Sequence, residues 1–461
     1  MFDTEKRIAI QPPAGEDEGS ASGASSAGSR SWAPAEFIAA GLFLAACASF
    51  WNYLGAVLRP NALAAVSGSF GEDILPTYQA AQQILRGNGA AMYDPSIVHG
   101  YTYSPVFAWL FTPLALLPWS TAVLVWFALN SVWMVAAIAL LERLFEEVLP
   151  TQLRSLRIGP IAVIPWLAAI WIGIPPSIQA IFEFGQVDYI NLALLAGAFL
   201  CLLRRRDGLA GVLIVLAALL KITPIGLLAI FLVARRWRTL IFSVATLVIA
   251  VLATSLDPRV GFSSWLGMPH GVNANFAYIF QVYSNESLAS VFAHLATLVH
   301  LHLTPQRAEY VGIAVAALLF VGAMGIGLAR RNREEPPYVV AALAGLSAVL
   351  LASPLNWDHT YIVAAIPATF MLGRIVARWL RTHRLAWFDI AGALSAVIVA
   401  SWPMTAGLAY SANGGFLRRA GDIVLIGARP AALVALTCLL LWEGWRVVQQ
   451  SRPRIQSDTV A

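Results

Sequence analysis

Several stretches of the chain are apolar, almost uncharged and about 20 residues long, the length that crosses a hydrocarbon core as a helix. Examples are 37–58, 122–141 and 423–442. Within lipid such segments must be helical, because no water is present to bond their backbone groups. With 59% hydrophobic residues, 12% charged residues and a mean hydropathy of +0.70, the chain is more apolar than a soluble domain of this size needs. We therefore predict an all-α integral membrane protein.

Charge and cysteine content exclude several other classes of protein. The formal charge of +5 comes from short basic clusters between apolar segments, a pattern that reports membrane topology and does not indicate nucleic-acid binding. Cys47, Cys201 and Cys438 lie inside apolar segments without paired spacing, so neither a disulfide framework nor a zinc site is expected. We expect no metal and no cofactor.

Arginine clusters orient the expected spans. We place the clusters at 204–206, 330–333, 374–384 and 446–454 in the cytoplasm. Segment 103–118, interrupted by prolines, is expected to be interfacial or re-entrant. The ten expected crossings are near residues 37–58, 122–141, 161–174, 187–203, 240–253, 311–328, 338–351, 361–377, 390–406 and 423–442.

Segment 209–233 does not fit a single crossing, because arginines flank it on both sides. Its centre reads Lys221-Ile222-Thr223-Pro224, with a charge and a helix-breaking proline at mid-membrane depth. We predict two short helices folded as a hairpin with Lys221 at the tip, which gives about twelve membrane helices in all. Lys221 is one of two lysines in the chain; a functional charge is the default interpretation, and a snorkelling interfacial lysine is the alternative.

The chain then divides into three parts. Residues 1–34 are rich in Gly, Ser and Ala and are expected to form a disordered cytoplasmic tail. Residues 35–446 form the predicted transmembrane domain, with outer loops at 59–118 and 254–310. Residues 447–461 form a cytoplasmic C-terminal tail.

On this topology, the unusual polar residues collect at the outer face. Asp73 precedes a stretch that can form an amphipathic helix, so it is either a general base or a helix-capping acid, and Glu72 is a rival of the same type. Gln186, Asp188 and Asn191 open one span, where Gln186 and Asn191 either bond a sugar hydroxyl or serve only as caps and interhelical contacts. The remaining candidates are Tyr78, Arg86, Trp357, Asp358 and His359, of which the last three are equally consistent with interface anchors or a structural histidine.

A set of short motifs occurs in a fixed order along the chain: Asp73-x-x-x-x-Tyr78, Leu85-Arg86-Gly87, Met92-Tyr93-Asp94-Pro95, Tyr103-Ser104-Pro105, 113–118, Gly185-Gln186, Lys221-Ile222-Thr223-Pro224, Arg235-Arg236-Trp237 and Ser353-Pro354 with Trp357-Asp358-His359. This ordered set resembles glycosyltransferase family 87 of the GT-C superfamily. That family includes polyprenyl-phosphate-mannose-dependent α-mannosyltransferases. The sequence departs from the family at Phe184-Gly185-Gln186, usually Asn-Gly-Gln, and at Asn285-Glu286-Ser287-Leu288, where Asn-Gln-Ser-Leu is commoner.

The resemblance implies a GT-C fold and a catalytic aspartate in the first outer loop, which corresponds to Asp73. It also implies that the Lys-x-Thr-Pro and Trp-Asp-His motifs border the donor phosphate. We therefore expect Lys221 and His359, with Arg86 as a third group, to offset the phosphate charge. Tyr78, Gln186, Asp188, Trp357 and Asp358 are expected to contact the sugar or the acceptor.

The expected activity is hexosyl transfer, with mannose as the first candidate, from a polyprenyl-phosphate donor to a glycolipid or glycan acceptor. The protein would lie in the plasma (inner) membrane among its lipids, with the site facing the periplasm or exterior, and would bind no nucleic acid. The chief alternative is a transporter or flippase of lipid-linked sugars, which needs the cationic groups but no base. A scaffold subunit with a degenerate site is a second alternative.

Overall fold

The computed structural model describes residues 71, 73–98, 100–149, 157–158, 161–162, 181, 184–269, 286–301, 303–329, 337–353, 360–401 and 416–450. Across these residues the regular secondary structure is helical, except for one antiparallel pair of two-residue strands, β1 Arg157–Ile158 and β2 Ile161–Ala162. The predicted all-α class is therefore confirmed for this part of the chain.

Fourteen α-helices can be followed in the described residues. Short 3₁₀ helices cover Gly89–Tyr93, Thr223–Gly226 and Thr360–Ala364. In chain order the α-helices are α1 Leu75–Leu85, α2 Pro105–Ala115, α3 Trp119–Val148, α4 Asp188–Leu203, α5 Asp207–Leu220, α6 Leu227–Val233, α7 Trp237–Leu256, α8 261–269, α9 Leu288–Leu298, α10 Pro305–Leu328, α11 Pro337–Ala352, α12 Ala365–Thr382, α13 Trp387–Ser401 and α14 Phe416–Gln450.

Five of the described helical segments are long and apolar enough to cross a membrane. The expected crossing at 37–58, and most of that at 161–174, lie outside the described residues. Other apolar helices of 10–17 residues accompany the five, so a membrane protein is supported and the total of about twelve membrane helices remains a prediction. The five segments are Trp119–Val148, Trp237–Leu256, Gln306–Leu328, Thr360–Thr382 and Ile426–Gln449.

Helix α4 lies at the centre of the largest core. It is apolar on all sides after its first turn, and nearly every residue from Asp188 to Leu202 is buried. A helix without a polar face must be surrounded by protein or lipid, and here α3 and α5 pack against α4. The N-terminus of α4 is consequently held in a fixed position inside the molecule.

The segment around Lys221 folds as the sequence predicts. Helix α5 ends at Leu220, Lys221 has extended backbone angles, and a 3₁₀ turn containing Pro224 leads into α6. The Arg236 guanidinium, which follows α6, pairs with Asp207 at the start of α5. The two ends of the segment therefore meet, and Lys221 lies at the opposite end, as expected for a hairpin.

The region 254–310, expected to be an outer loop, contains two helices, α8 and α9. A buried ion pair ties the start of α9 to α14, with Arg429 Nη1 lying 3.0 Å from Glu286 Oε2. Arg429 lies within the expected crossing at 423–442, and its side chain is 1% exposed. Helix α14 also continues to Gln450, past the expected boundary at 446.

Candidate active site

Asp73 is held where two loops meet. Its backbone N–H donates to the carbonyl oxygen of Phe184 at 3.0 Å, and its carboxylate Oδ2 accepts a hydrogen bond from Gln186 Nε2. Asp73 lies one residue before Ile74, the N-cap residue of α1, which makes no side-chain cap hydrogen bond. The Asp73 carboxylate is thus placed between the start of α1 and the Gln186 amide.

Glycine permits the close approach of these loops. Gly185 has φ of +76°, and a Cβ atom there would lie 3.0 Å from Ile74 Cγ2 and 3.5 Å from Gly71 Cα. Helix α3 fixes the loop from the other side, because Trp126 Nε1 donates to the Gly185 carbonyl at 2.7 Å. Asn130 Nδ2 donates to the backbone carbonyl of Gln186 at 3.1 Å. The Gly-Gln motif thus places the Gln186 amide against Asp73.

Lys221 reaches the same end of the bundle from α5. Helices α4 and α5 are consecutive, pack together and are joined by the short turn 204–206, so the end of α5 lies beside the start of α4. Lys221 Nζ donates to Asp188 Oδ1 at 2.7 Å. The Asp188 side chain is 0% exposed and that of Lys221 is 19% exposed. Asp188 is therefore the buried anchor of a partly accessible ammonium group.

Tyr103 lies between these two pairs of residues. Its hydroxyl donates to Gln186 Oε1 at 3.3 Å, and the neighbouring Ser104 hydroxyl donates to the carbonyl of Leu219 on α5. Burial raises the pKa of Tyr103 well above its usual range, and the nearby carboxyl groups of Asp73 and Asp188 raise it further. Tyr103 is not among the site residues expected from the sequence; its only signal there is membership in the Tyr103-Ser104-Pro105 motif.

Two expected site residues are not brought to this cluster. Arg86 is exposed at the far end of α1, so its Cα lies roughly 18 Å from that of Ile74 at 1.5 Å per helical residue. Tyr78 is buried, its hydroxyl donates to the carbonyl of Leu117 at 2.7 Å, and its ring packs against Trp119. The other three, Trp357, Asp358 and His359, lie outside the described residues.

The cluster combines groups suited to proton transfer and to anion binding. A carboxylate held by an amide can accept a proton, and a partly exposed ammonium can bind a phosphate oxygen. Within the described part of the chain, no group of three or more His, Cys, Asp or Glu side chains is placed to hold a metal ion. Carboxylate and ammonium groups brought together in an apolar helical bundle are costly to bury, and such groups are typical of functional sites in membrane proteins.

Comparison with known families identifies the class of enzyme. The profile of glycosyltransferase family 87 matches residues 101–354, just over half of the chain. The chain therefore belongs to glycosyltransferase family 87 and is a membrane glycosyltransferase. Tyr103, Gln186, Asp188 and Lys221 lie within the matched residues, whereas Asp73 precedes them.

Characterised relatives are distant in sequence. A polyprenol-phosphate-mannose-dependent alpha-(1-2)-phosphatidylinositol mannoside mannosyltransferase of Mycobacterium tuberculosis is 27% identical over 332 residues, covering 69% of this chain and 71% of the relative. The corresponding pentamannoside mannosyltransferase of that species is 28% identical, covering 60% and 62%. An alpha-(1->3)-arabinofuranosyltransferase of Corynebacterium glutamicum is 28% identical, covering 67% and 69%. No solved structure matches the chain.

Proposed function

We propose that the protein transfers a hexose, with mannose as the first candidate, from a polyprenyl-phosphate donor to a glycolipid or glycan acceptor. The observation that carries the proposal is the grouping of Asp73 and Lys221 around Gln186, Tyr103 and Asp188. This grouping offers a proton acceptor and a phosphate-binding cation at the same end of the bundle. The names of the mannosyltransferase relatives support the choice of donor.

In the proposed reaction, Asp73 takes the proton of the acceptor hydroxyl. The hydroxyl oxygen then attacks the anomeric carbon, and the bond between that carbon and the phosphate oxygen breaks with its electron pair leaving on the phosphate. This single displacement inverts the anomeric centre, so a β-linked donor gives an α-linked product. Gln186 holds the Asp73 carboxylate in one orientation during the step.

The leaving phosphate gains negative charge as the bond breaks, and cationic groups stabilise that charge. We assign Lys221 and His359 to this role and retain Arg86 only as an outer group that attracts the donor. Gln186 and Asp188 act through Asp73 and Lys221, respectively, because their side chains bond to those residues. We assign Trp357 and Asp358 to contact with the sugar or acceptor. Tyr78 is assigned a structural role, in which it stabilises the loop that carries Asp73.

The proposed architecture is a GT-C fold of about twelve membrane helices, with tails at 1–34 and 447–461. The site would open to the outer face of the plasma (inner) membrane, toward the periplasm or exterior. Arginines at 204–206 and at 235 and 236 lie at the opposite end of α4 and of the hairpin from Lys221, and such arginines favour the cytoplasm. Membrane lipids would surround the bundle.

A donor panel tests the proposal. Purified protein in liposomes would be given polyprenyl-phosphate mannose, glucose or arabinofuranose with phosphatidylinositol mannosides as acceptors, and new glycosidic bonds would be measured. We expect a new α-linked hexosyl lipid, formed most rapidly from the mannosyl donor. Pentosyl transfer alone would revise the sugar, and movement of labelled donor across the vesicle without any new bond would favour the flippase alternative.

A further inference from the structure

The Gln186 amide joins two groups that require opposite hydrogen-bond roles from it. The Asp73 carboxylate can only accept, so it must face the NH₂ group of Gln186, while the amide oxygen faces the Tyr103 hydroxyl. The Tyr103 hydroxyl therefore donates to Gln186. Rotating the amide by half a turn would place two acceptors against each other at Asp73.

Tyr103 is itself held firmly. The Tyr93 hydroxyl donates to the Tyr103 carbonyl at 2.7 Å, and the Tyr103 ring packs edge-on against Phe107 with centroids 5.2 Å apart. Gln186 is 7% exposed, so water has little access to replace a lost partner. The high pKa of Tyr103 keeps its hydroxyl protonated, and thus a donor, over the neutral pH range.

We propose that Tyr103 is a positioning residue for sugar transfer, which fixes the Gln186 amide and through it the carboxylate of Asp73. The inference rests on the proposed function, since it takes Asp73 to be the proton acceptor. Tyr103 in this role touches no reacting atom. A change at Tyr103 should therefore alter kcat, and it should do so only through Gln186.

A double-mutant cycle tests the proposal with Tyr103→Phe, Gln186→Leu and both together, measured as kcat and donor KM. Tyr103→Phe should lower kcat about 5- to 20-fold, the scale of one buried hydrogen bond, and leave donor KM within about twofold. The double variant should be no more than about twofold slower than the slower single variant, because the two changes remove one coupled unit. Tyr338→Phe is the matched control, since it removes a buried hydroxyl bonded to Leu202 at the other end of α4, and its kcat should not change.

A loss of kcat in the double variant equal to the product of the two single-variant losses would overturn the inference, because Tyr103 would then act independently of Gln186. An unchanged kcat in Tyr103→Phe would also overturn it. The single variant Asp73→Asn, measured beside the cycle, separates the positioning proposal from the assignment of Asp73 as the base. If Asp73→Asn retains turnover while Tyr103 and Gln186 are coupled, the assignment of Asp73 as the base is wrong and the contact between Tyr103 and Gln186 is supported. If Asp73→Asn is inactive while Tyr103 and Gln186 are uncoupled, Asp73 is supported as the base and the positioning role of Tyr103 is wrong.

Discussion

The Lys221 ammonium is anchored by a carboxylate that solvent does not reach. Asp188 is 0% exposed and lies 2.7 Å from Lys221 Nζ. A buried ion pair adds little net stability, but removing one partner leaves a charge in a poorly solvated place. Lys221 therefore has a structural contribution as well as the proposed role toward phosphate, and the two can be separated.

We predict that Lys221→Met destabilises the protein by about 3–5 kcal/mol and weakens donor use roughly 10- to 100-fold. The double variant Lys221→Met with Asp188→Leu should regain much of the stability, since an apolar pair can replace a buried ion pair. It should not regain donor use. Thermal unfolding in detergent and donor KM measure the two effects, and recovery of donor use in the double variant would assign Lys221 to structure alone.

For individual residues, the sequence predicts which charged or polar side chains are functional candidates, but it does not predict which residues they contact. Lys221 stood out because a charge within an apolar run is costly, and Asp73 because of its motif. Asp188 is 33 positions from its partner Lys221 in the sequence, and Tyr103 is 83 positions from its partner Gln186. Such pairings depend on how helices pack, and a single sequence does not determine that packing.

Among the elements, the loop at Gly185 most directly controls the site. Its φ is positive, and a Cβ atom at this position would lie 3.0 Å from Ile74 Cγ2, so a larger residue requires the Ile74 side chain to shift. Gly87 is a natural comparison, because its φ is also positive, at +77°, but no described atom lies within 4 Å of the position that its Cβ would occupy.

We predict that Gly185→Ala and Gly87→Ala each lower stability by about 1 kcal/mol through the left-handed backbone conformation. Only Gly185→Ala should lower sugar transfer, by about tenfold or more, because it moves Gln186 away from Asp73. Unfolding midpoints and kcat for the two variants provide the comparison. Equal activity losses in both would show that general strain, and not the loop contact, governs the effect.

The hairpin shows what local sequence determines well. Pro224 and Lys221 predicted the break between α5 and α6, because proline and a buried charge both disfavour a continuous membrane helix. Helices α8 and α9 lie in the region 254–310, which is predicted from the sequence to be an outer loop and is assigned no helix there. Their burial against other elements, such as the Glu286–Arg429 contact with α14, is not visible in the sequence.

At the scale of the whole molecule, we predict that the proposed site and the arginine clusters lie on opposite sides of the membrane. Single cysteines at the exposed positions Asp94, Arg205 and Arg381, introduced after replacement of Cys47, Cys201 and Cys438, report this directly. In intact cells an impermeant thiol reagent should label position 94 only. Labelling at 205 or 381 would reverse the proposed orientation.

The central claim is that Asp73 accepts the proton of the acceptor hydroxyl, and Asp73→Asn tests it most directly. Asparagine keeps the size of the side chain and an oxygen that can accept from Gln186, but it removes the basicity. Asp94→Asn is the matched control, because Asp94 is an exposed carboxylate whose described bonds are to Ser96, and Glu72→Gln is a second control.

The measurement is the rate of sugar transfer by the purified variants in liposomes over a series of polyprenyl-phosphate mannose concentrations, which gives kcat and donor KM. We predict that Asp73→Asn lowers kcat roughly 100-fold or more, with donor KM and unfolding temperature nearly unchanged. The Asp94→Asn variant should be fully active and Glu72→Gln much less affected than Asp73→Asn. Near-normal turnover of Asp73→Asn, or loss of turnover in Glu72→Gln instead, would contradict the account.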